Sequence, residues 1–213
     1  MTAARTAGAG PAGVRRPGDR PAGPATSAPV IVLTPAYSGA STLRALLAGH
    51  PDLACTTGTG LLPLCEQAMA TWRNADSRPA GHPSALATAA TRALAASIIT
   101  SILAREGKPR WAEIAAPSPR AARTFLRLYP QTRFLCLYRA CQGAIRAALD
   151  ASPWGITDPA LTPFAAAYPA STVATLTAYW ATATANLLDF EREHPHSCLR
   201  VRLEDLTRTP HQT

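Results

Sequence analysis

The sequence predicts an α/β domain of three layers, a central parallel sheet flanked by helices on both faces. Two features point there: short apolar runs without alternation, which read as strands buried on both sides, and long stretches at helical spacing between them. "PVIVLT" (29–34) is the first such strand, continuous, β-branched and closed by turn residues. Ser41 to Gly49 reads as a helix with Leu43, Leu46 and Leu47 on one face and "GHP" ending it. Residues 84–106 carry Leu86, Ala90, Leu94, Ile98 and Ile102 at helical spacing before Gly107, a second helix. "PRWAEIA" (109–115) reads as a short strand. Ser118 and Pro119 form an N-cap and first-turn pair for a helix through Tyr129. "RFLCLYR" (133–139) is the next buried strand, with a helix over 142–150. A proline-rich loop (153–169) leads to a long helix over 171–193, with Val173, Leu176, Trp180, Ala183, Leu187 and Phe190 inward. "CLRVRLEDL" (198–206) is the last strand. The stretch after "HPD" carries no signature.

A chain of 213 residues, 47% hydrophobic and 16% charged, suffices for one buried core, and it has no apolar run of eighteen. Residues 1–28 are mostly Ala, Gly, Pro and Arg, too poor in apolar side chains to repay their ordering entropy, and read as a disordered tail without a signal-peptide core. The domain is expected over 29–213. The cysteines (55, 65, 136, 141 and 198) are odd in number and form no CxxC pair, which favours reduced thiols and a cytoplasmic protein without a metal site. The formal charge of +8 rests partly on tail arginines and is otherwise scattered, which argues against a nucleic-acid partner and stays compatible with an acidic small molecule. Neither a nucleic-acid partner nor a membrane is expected. Lys108 is the single lysine.

The stretch "TPAYSGAST" (34–42) carries the chemistry. A strand turning through Ser38 and Gly39 into a helix points free backbone N–H groups and the helix's positive end at one spot. Ser38, Ser41 and Thr42 add hydroxyl donors, so the geometry suits a phosphate in a P-loop-like manner. A simpler reading has Ser41 only capping the helix. A GxxxxGK[ST] loop is excluded, because its register places Thr34 at the first glycine and Ala40 at the lysine.

These residues resemble the sulfotransferases that use 3′-phosphoadenosine 5′-phosphosulfate (PAPS), most closely the tyrosylprotein-sulfotransferase branch. "AYSGASTLRALLAGHPDL" is similar to the family's P-R-S-G-T-[ST]-x-L loop and the "HPD" after it. "GKPRWAEIAAP" is similar to "gkprWgeKTP", "YPQTRFLCLYR" to "fPdakfillvRdP", and "CLRVRLEDLTRTP" to "vryEDLvadP". The resemblance implies that Tyr37, Ser38, Gly39, Ala40, Ser41 and Thr42 cradle the 5′-phosphosulfate and that Arg139 holds the 3′-phosphate as a charge-assisted fork. A surface ion pair is the competing role for Arg139. Trp180 matches a recurring tryptophan and also suits the core. Glu204 and Asp205 resemble a structural motif at a strand end, and His50 a helix-end packing residue.

The chain departs from the family where charge is needed. The loop cation falls on Tyr37, the "EKTP" lysine on Ala115, the base of the tyrosylprotein branch on Thr57 or Gly58, and the serine beside the 3′-phosphate on Ala147. Each such group supplies about 3 kcal/mol of transition-state stabilisation, so the catalytic residues stay unknown. Tyr37 as a donor, Arg44 and Arg146 as cations, and Glu66 or Glu113 as base are the compensating candidates. The chain is also C-terminally short, stopping where a further helix is expected. Three readings stay open: one subunit of a sulfuryl-transfer enzyme acting on a small-molecule hydroxyl with a sulfotransferase-like partner, a stand-alone enzyme with a rearranged site, or a non-catalytic scaffolding subunit.

Overall fold

The computed structural model describes residues 28–75, 85–152 and 158–208. Apart from Ala28, the expected tail lies outside the described residues. Five strands, β1 (Val30–Leu33), β2 (Leu53–Thr57), β3 (Arg110–Ala115), β4 (Arg133–Tyr138) and β5 (Cys198–Arg202), form one parallel sheet in the order β2-β3-β1-β4-β5. The register sets Val32 beside Ile114 and Leu135, so β1 is central and its Ile31, Val32 and Leu33 are buried. The helices are α1 (Ala40–Ala48), α2 (Leu61–Ala75), α3 (Ala85–Glu106), α4 (Pro119–Leu128), α5 (Cys141–Ala151), α6 (Thr162–Ala167), α7 (Thr172–Glu193) and α8 (Leu203–Arg208). Ile31, Leu33, Phe134 and Cys136 face a core built with α2, α3, α4 and α7. Val32, Ile114, Leu137 and Val201 face the other way, toward Leu43 of α1 and Leu203 of α8. Both faces are therefore covered, as expected of a parallel sheet.

Local chemistry explains most boundaries. Ser118 Oγ accepts from Ala121 N at the start of α4, with Pro119 in the first turn, and Ser171 Oγ accepts from Ala174 N at the start of α7. Elsewhere the structure differs from the sequence pattern. β2 and α2 fill the stretch without a signature: "LACTT" is too short and polar to stand out, and Pro63 sits in the tolerant first turn of α2. The proline-rich loop contains a 3₁₀ turn (Pro159–Leu161), capped by Asp158, and then α6, because prolines start helices as readily as they stop them. Residues 153–157 of that loop lie outside the described residues. The last strand ends at Arg202, not at 206, and the chain coils into α8 with Glu204 and Asp205 in its first turn, where acidic side chains suit the helix's positive end.

Two helical faces are also rotated from expectation. α3 buries Ala87, Thr91, Ala95, Ile99, Ile102 and Leu103, while Leu86 and Leu94 point outward. The small residues let α3 approach its neighbours closely, which a stripe of leucines would prevent. Among the described residues α3 is also the one helix long and apolar enough to cross a bilayer by length and composition; here it lies against α2, α4 and β3. α7 buries Thr175 and Tyr179 in place of Val173, and α1 exposes Leu46.

The carboxyl end of the sheet is clamped by α8. Gly39, left-handed at φ 97, has no room for a side chain: a Cβ there would stand 2.5 Å from Leu203 Cδ1. One residue on, Glu204 Oε1 accepts from Ala140 N at 2.8 Å. "LEDL" thus seats against the loop after β1 and ties down the turn after β4, which are neighbouring strands. Burial opposes ionisation of Glu204, but the N–H of Ala140, its own N–H and the charges of Arg202 and Arg139 outweigh it and hold its carboxyl below the ordinary 4.5.

Three outcomes are expected. In urea unfolding, Ala95→Leu destabilises by about 1–3 kcal/mol through overpacking and Leu94→Ser by less than about 0.5 kcal/mol. Gly39→Ala destabilises by about 1–3 kcal/mol, and the penalty shrinks in a Leu203→Ala background, which a double-mutant cycle reads directly. The stability from Glu204 is complete above its unfolded pKa and disappears as pH falls through its depressed folded value, so a melting-temperature profile against pH is flatter on the acid side for Glu204→Gln.

Candidate functional site

The chain leaves β1 toward β2 and leaves β4 toward β5, so the carboxyl ends of these two adjacent strands border a topological switch point, where open α/β sheets bind ligands. The loop after β1 lies there. Thr34 N ends the ladder with a 3.1 Å bond to Ala115 O, and Ser38, fully buried, turns the chain back through Ser38 N to Pro35 O. Tyr37 (φ 63) and Gly39 are both left-handed, and the chain turns through them from β1 into α1. α1 starts at Ala40 with Gly39 as its N-cap and no side-chain cap, so Ser41 is inside the helix and does not cap it. Its first intrahelical bond runs from Leu43 N to Gly39 O, which leaves the N–H groups of Ala40, Ser41 and Thr42 without helical acceptors. Ser41 and Thr42 are exposed. Three amides, two hydroxyls and a positive helix end suit a phosphate or sulfate group.

Arg139 reaches this place from the end of β4. Its Nη1 donates to Tyr37 O at 2.9 Å, its carbonyl accepts from Trp180 Nε1 at 3.0 Å, and its stem rests on Gly143, where a Cβ would stand 3.0 Å from Nε. Among the described residues its partner is a loop carbonyl and no carboxylate pairs with it, so most of its donors stay available at the loop that leads into α1. Trp180 thereby positions the arginine. Tyr37 contributes backbone and packing: its ring lies against the apolar cluster of Ala148, Leu161, Leu176, Tyr179 and Ala183, while Tyr179 Oη accepts from Ala36 N.

The other candidates are placed elsewhere. Lys108 donates to the carbonyls of Ala48, His50 and Leu53 at the amino end of β3, a six-residue strand and so about 20 Å from the carboxyl-end site. His50 Nδ1 accepts from Asp52 N and stabilises the turn after α1. Arg146 faces Asp150 on α5, and Glu66 pairs with Arg120 to join α2 and α4. Arg44 stands close enough to Cys55 for its charge to be felt there. Burial, followed by the charge of Glu113, nevertheless pushes the Cys55 thiol up, and burial lifts Cys65 to about 11, so neither is an activated nucleophile.

Glu113, the other candidate base, lies inside the sheet. It is 2% exposed on β3, and its carboxylate accepts from Thr59 N at 3.0 Å, from Thr59 Oγ1 at 2.9 Å and from the hydroxyl of Thr56, which in turn accepts from Trp111 Nε1. The network pins the loop between β2 and α2. Beside it opens a cavity of about 380 Å³ between the end of β3 and the first turns of α2 and α4. Thr57, Gly58 and Ala115, the positions at which the resemblance would put the tyrosylprotein branch's base (Thr57 or Gly58) and the family's lysine, all line it. Sequence reasoning missed this cavity; the available signal was a glutamate on the same face as Trp111 in a strand that is otherwise apolar after Arg110.

A family model described as the sulfotransferase family matches residues 29–213. The crystal structure of a sulfotransferase from Alicyclobacillus acidocaldarius superposes at a TM-score of 0.51 with 16% identity, covering 88% of this chain and 77% of that one, a likeness of fold. An uncharacterized protein from Eubacterium ventriosum ATCC 27560 superposes at 0.36 with 9% identity, covering 82% and 89%, too slight a likeness to argue from. No curated protein matches the chain. With its strand-turn-helix loop and five-stranded parallel sheet, the chain belongs to the sulfotransferase family.

Proposed function

We propose that this chain takes part in sulfuryl transfer from PAPS to a hydroxyl of a small molecule, as one subunit of a cytoplasmic enzyme in which a sulfotransferase-like partner supplies charge that this chain lacks. One observation carries the reading: the uncapped start of α1, with the free amides of Ala40, Ser41 and Thr42, beside an arginine that keeps donors to spare. These residues would hold the 5′-phosphosulfate, and Arg139 the 3′-phosphate. Bound there, PAPS supplies an activated sulfuryl group for an acceptor oxygen. The chain's own part is to bind and orient. At the two positions where the family places cations it has Tyr37, whose ring is spent on packing, and Ala115, so a second chain is the source of that charge. The free cysteines support the cytoplasmic assignment.

The packed ring of Tyr37 also favours a second reading, a non-catalytic subunit that keeps the fold and stabilises a catalytic partner. Calorimetric titration with 3′-phosphoadenosine 5′-phosphate separates the two. Micromolar binding, weakened roughly 10- to 100-fold in Arg139→Ala through loss of a charge-assisted fork, is expected of a nucleotide-binding subunit. Absence of binding, or binding indifferent to Arg139→Ala, gives the scaffold.

A further inference from the structure

We propose that the cavity between β3, α2 and α4 is the acceptor pocket and that it selects an uncharged, largely apolar alcohol or phenol; this rests on the sulfuryl-transfer reading above. Position comes first. Ala115 in the cavity wall is also the residue whose carbonyl binds Thr34 N, at the root of the anion loop. Cavity and loop therefore stand side by side on paired strands about 5 Å apart. An acceptor in the one faces a donor on the other. The volume of this half-open cavity, about 380 Å³, falls within the range of small-molecule sites.

The lining gives the class. Leu61, Leu62, Pro63, Ile114, Ala115 and Ala116 supply an apolar wall, and among the described residues no Lys, Arg or His lines the cavity. At the starts of α2 and α4 that open onto it, Leu61 N donates to Thr59 Oγ1 and Ala121 N to Ser118 Oγ, while the Glu113 carboxylate at the cavity wall is occupied by Thr56 and Thr59. An acidic acceptor would have no cation to pair with and would lie against a carboxylate. A sugar would leave hydroxyls unpaired against leucine and isoleucine, a penalty that an apolar ring avoids. The polar groups left for one hydroxyl are Thr57 and Ser118, both at the cavity. Specificity then depends on Glu113 as a positioning residue. Gly58 (φ 71) and Gly60 (φ 68) are left-handed on either side of Thr59, and the bonds from Thr59 to Glu113 hold this part of the wall in place.

The test uses the full chain and three probes measured by saturation-transfer NMR and calorimetry: 2-naphthol, 6-hydroxy-2-naphthoate and methyl glucoside. The expected order is 2-naphthol bound, the carboxylate analogue at least tenfold weaker, and the glucoside not bound. Ala116→Trp, a substitution at an exposed site, is expected to weaken 2-naphthol at least tenfold with melting temperature unchanged, and Glu113→Gln to narrow the gap between the two naphthols. Equal binding of all three probes, tighter binding of the carboxylate, or indifference to Ala116→Trp overturns the proposal. 3′-Phosphoadenosine 5′-phosphate titrated into the same samples reports the nucleotide site separately. Nucleotide binding without a naphthol site sinks only the pocket, and a naphthol site without nucleotide binding sinks the sulfuryl-transfer reading while the pocket's selectivity stands.

Discussion

The carboxyl edge of the sheet is organised around one steric fact, the missing Cβ at position 39. A left-handed residue is needed there to turn β1 into α1, and Leu203 occupies the space in which a side chain would lie. Because Leu203 opens α8, its seat against Gly39 sets where Glu204 falls, and Glu204 fixes the turn that carries Arg139 toward the loop. The anion loop, the arginine and the last helix therefore form one mechanical unit. Trp180 and Tyr179 of α7 complete it from the other side, one holding the carbonyl of Arg139 and the other the amide of Ala36.

This unit separates binding from catalysis. Backbone amides need no particular side chain, so in the proposed reading the cradle persists with Tyr37 in its loop as long as the turn does. The ring that replaced the cation strengthens the scaffold by packing between α5 and α7. Catalysis has no such insulation, because stabilising charge on a transferring group requires a cation at a defined place. The same substitution can thus leave a phosphate site intact and remove the chemistry. The cavity beside the loop is lined by Thr57, Gly58 and Ala115 and, among the described residues, by no cation.

How much of this was legible in the sequence depends on how local the cause was. β1, β4, α4 and α7 announce themselves through β-branched runs, Ser118 with Pro119, and helical spacing, and the anion loop through Ser38 and Gly39. Decisions made by tertiary contact were not legible. Leu86 and Leu94 mark a plausible inward face on α3, yet the sheet accepts the alanine stripe because close approach outweighs side-chain size. The end of β5 at Arg202 follows from Leu203 meeting Gly39, residues far apart in the chain. Glu113 stands out in the sequence only as a candidate base, because its partners, Thr56 and Thr59, come from a strand and loop with no pattern of their own.

The central claim is that the start of α1 is a working anion site. Amide-resolved NMR of the full chain, with 3′-phosphoadenosine 5′-phosphate added, addresses it residue by residue. The account predicts saturable downfield shifts at the amides of Ala40, Ser41 and Thr42, together with a response at Gly143 beneath Arg139. Those amides staying in place while the nucleotide saturates the sample, or while no signal moves at all, would contradict it.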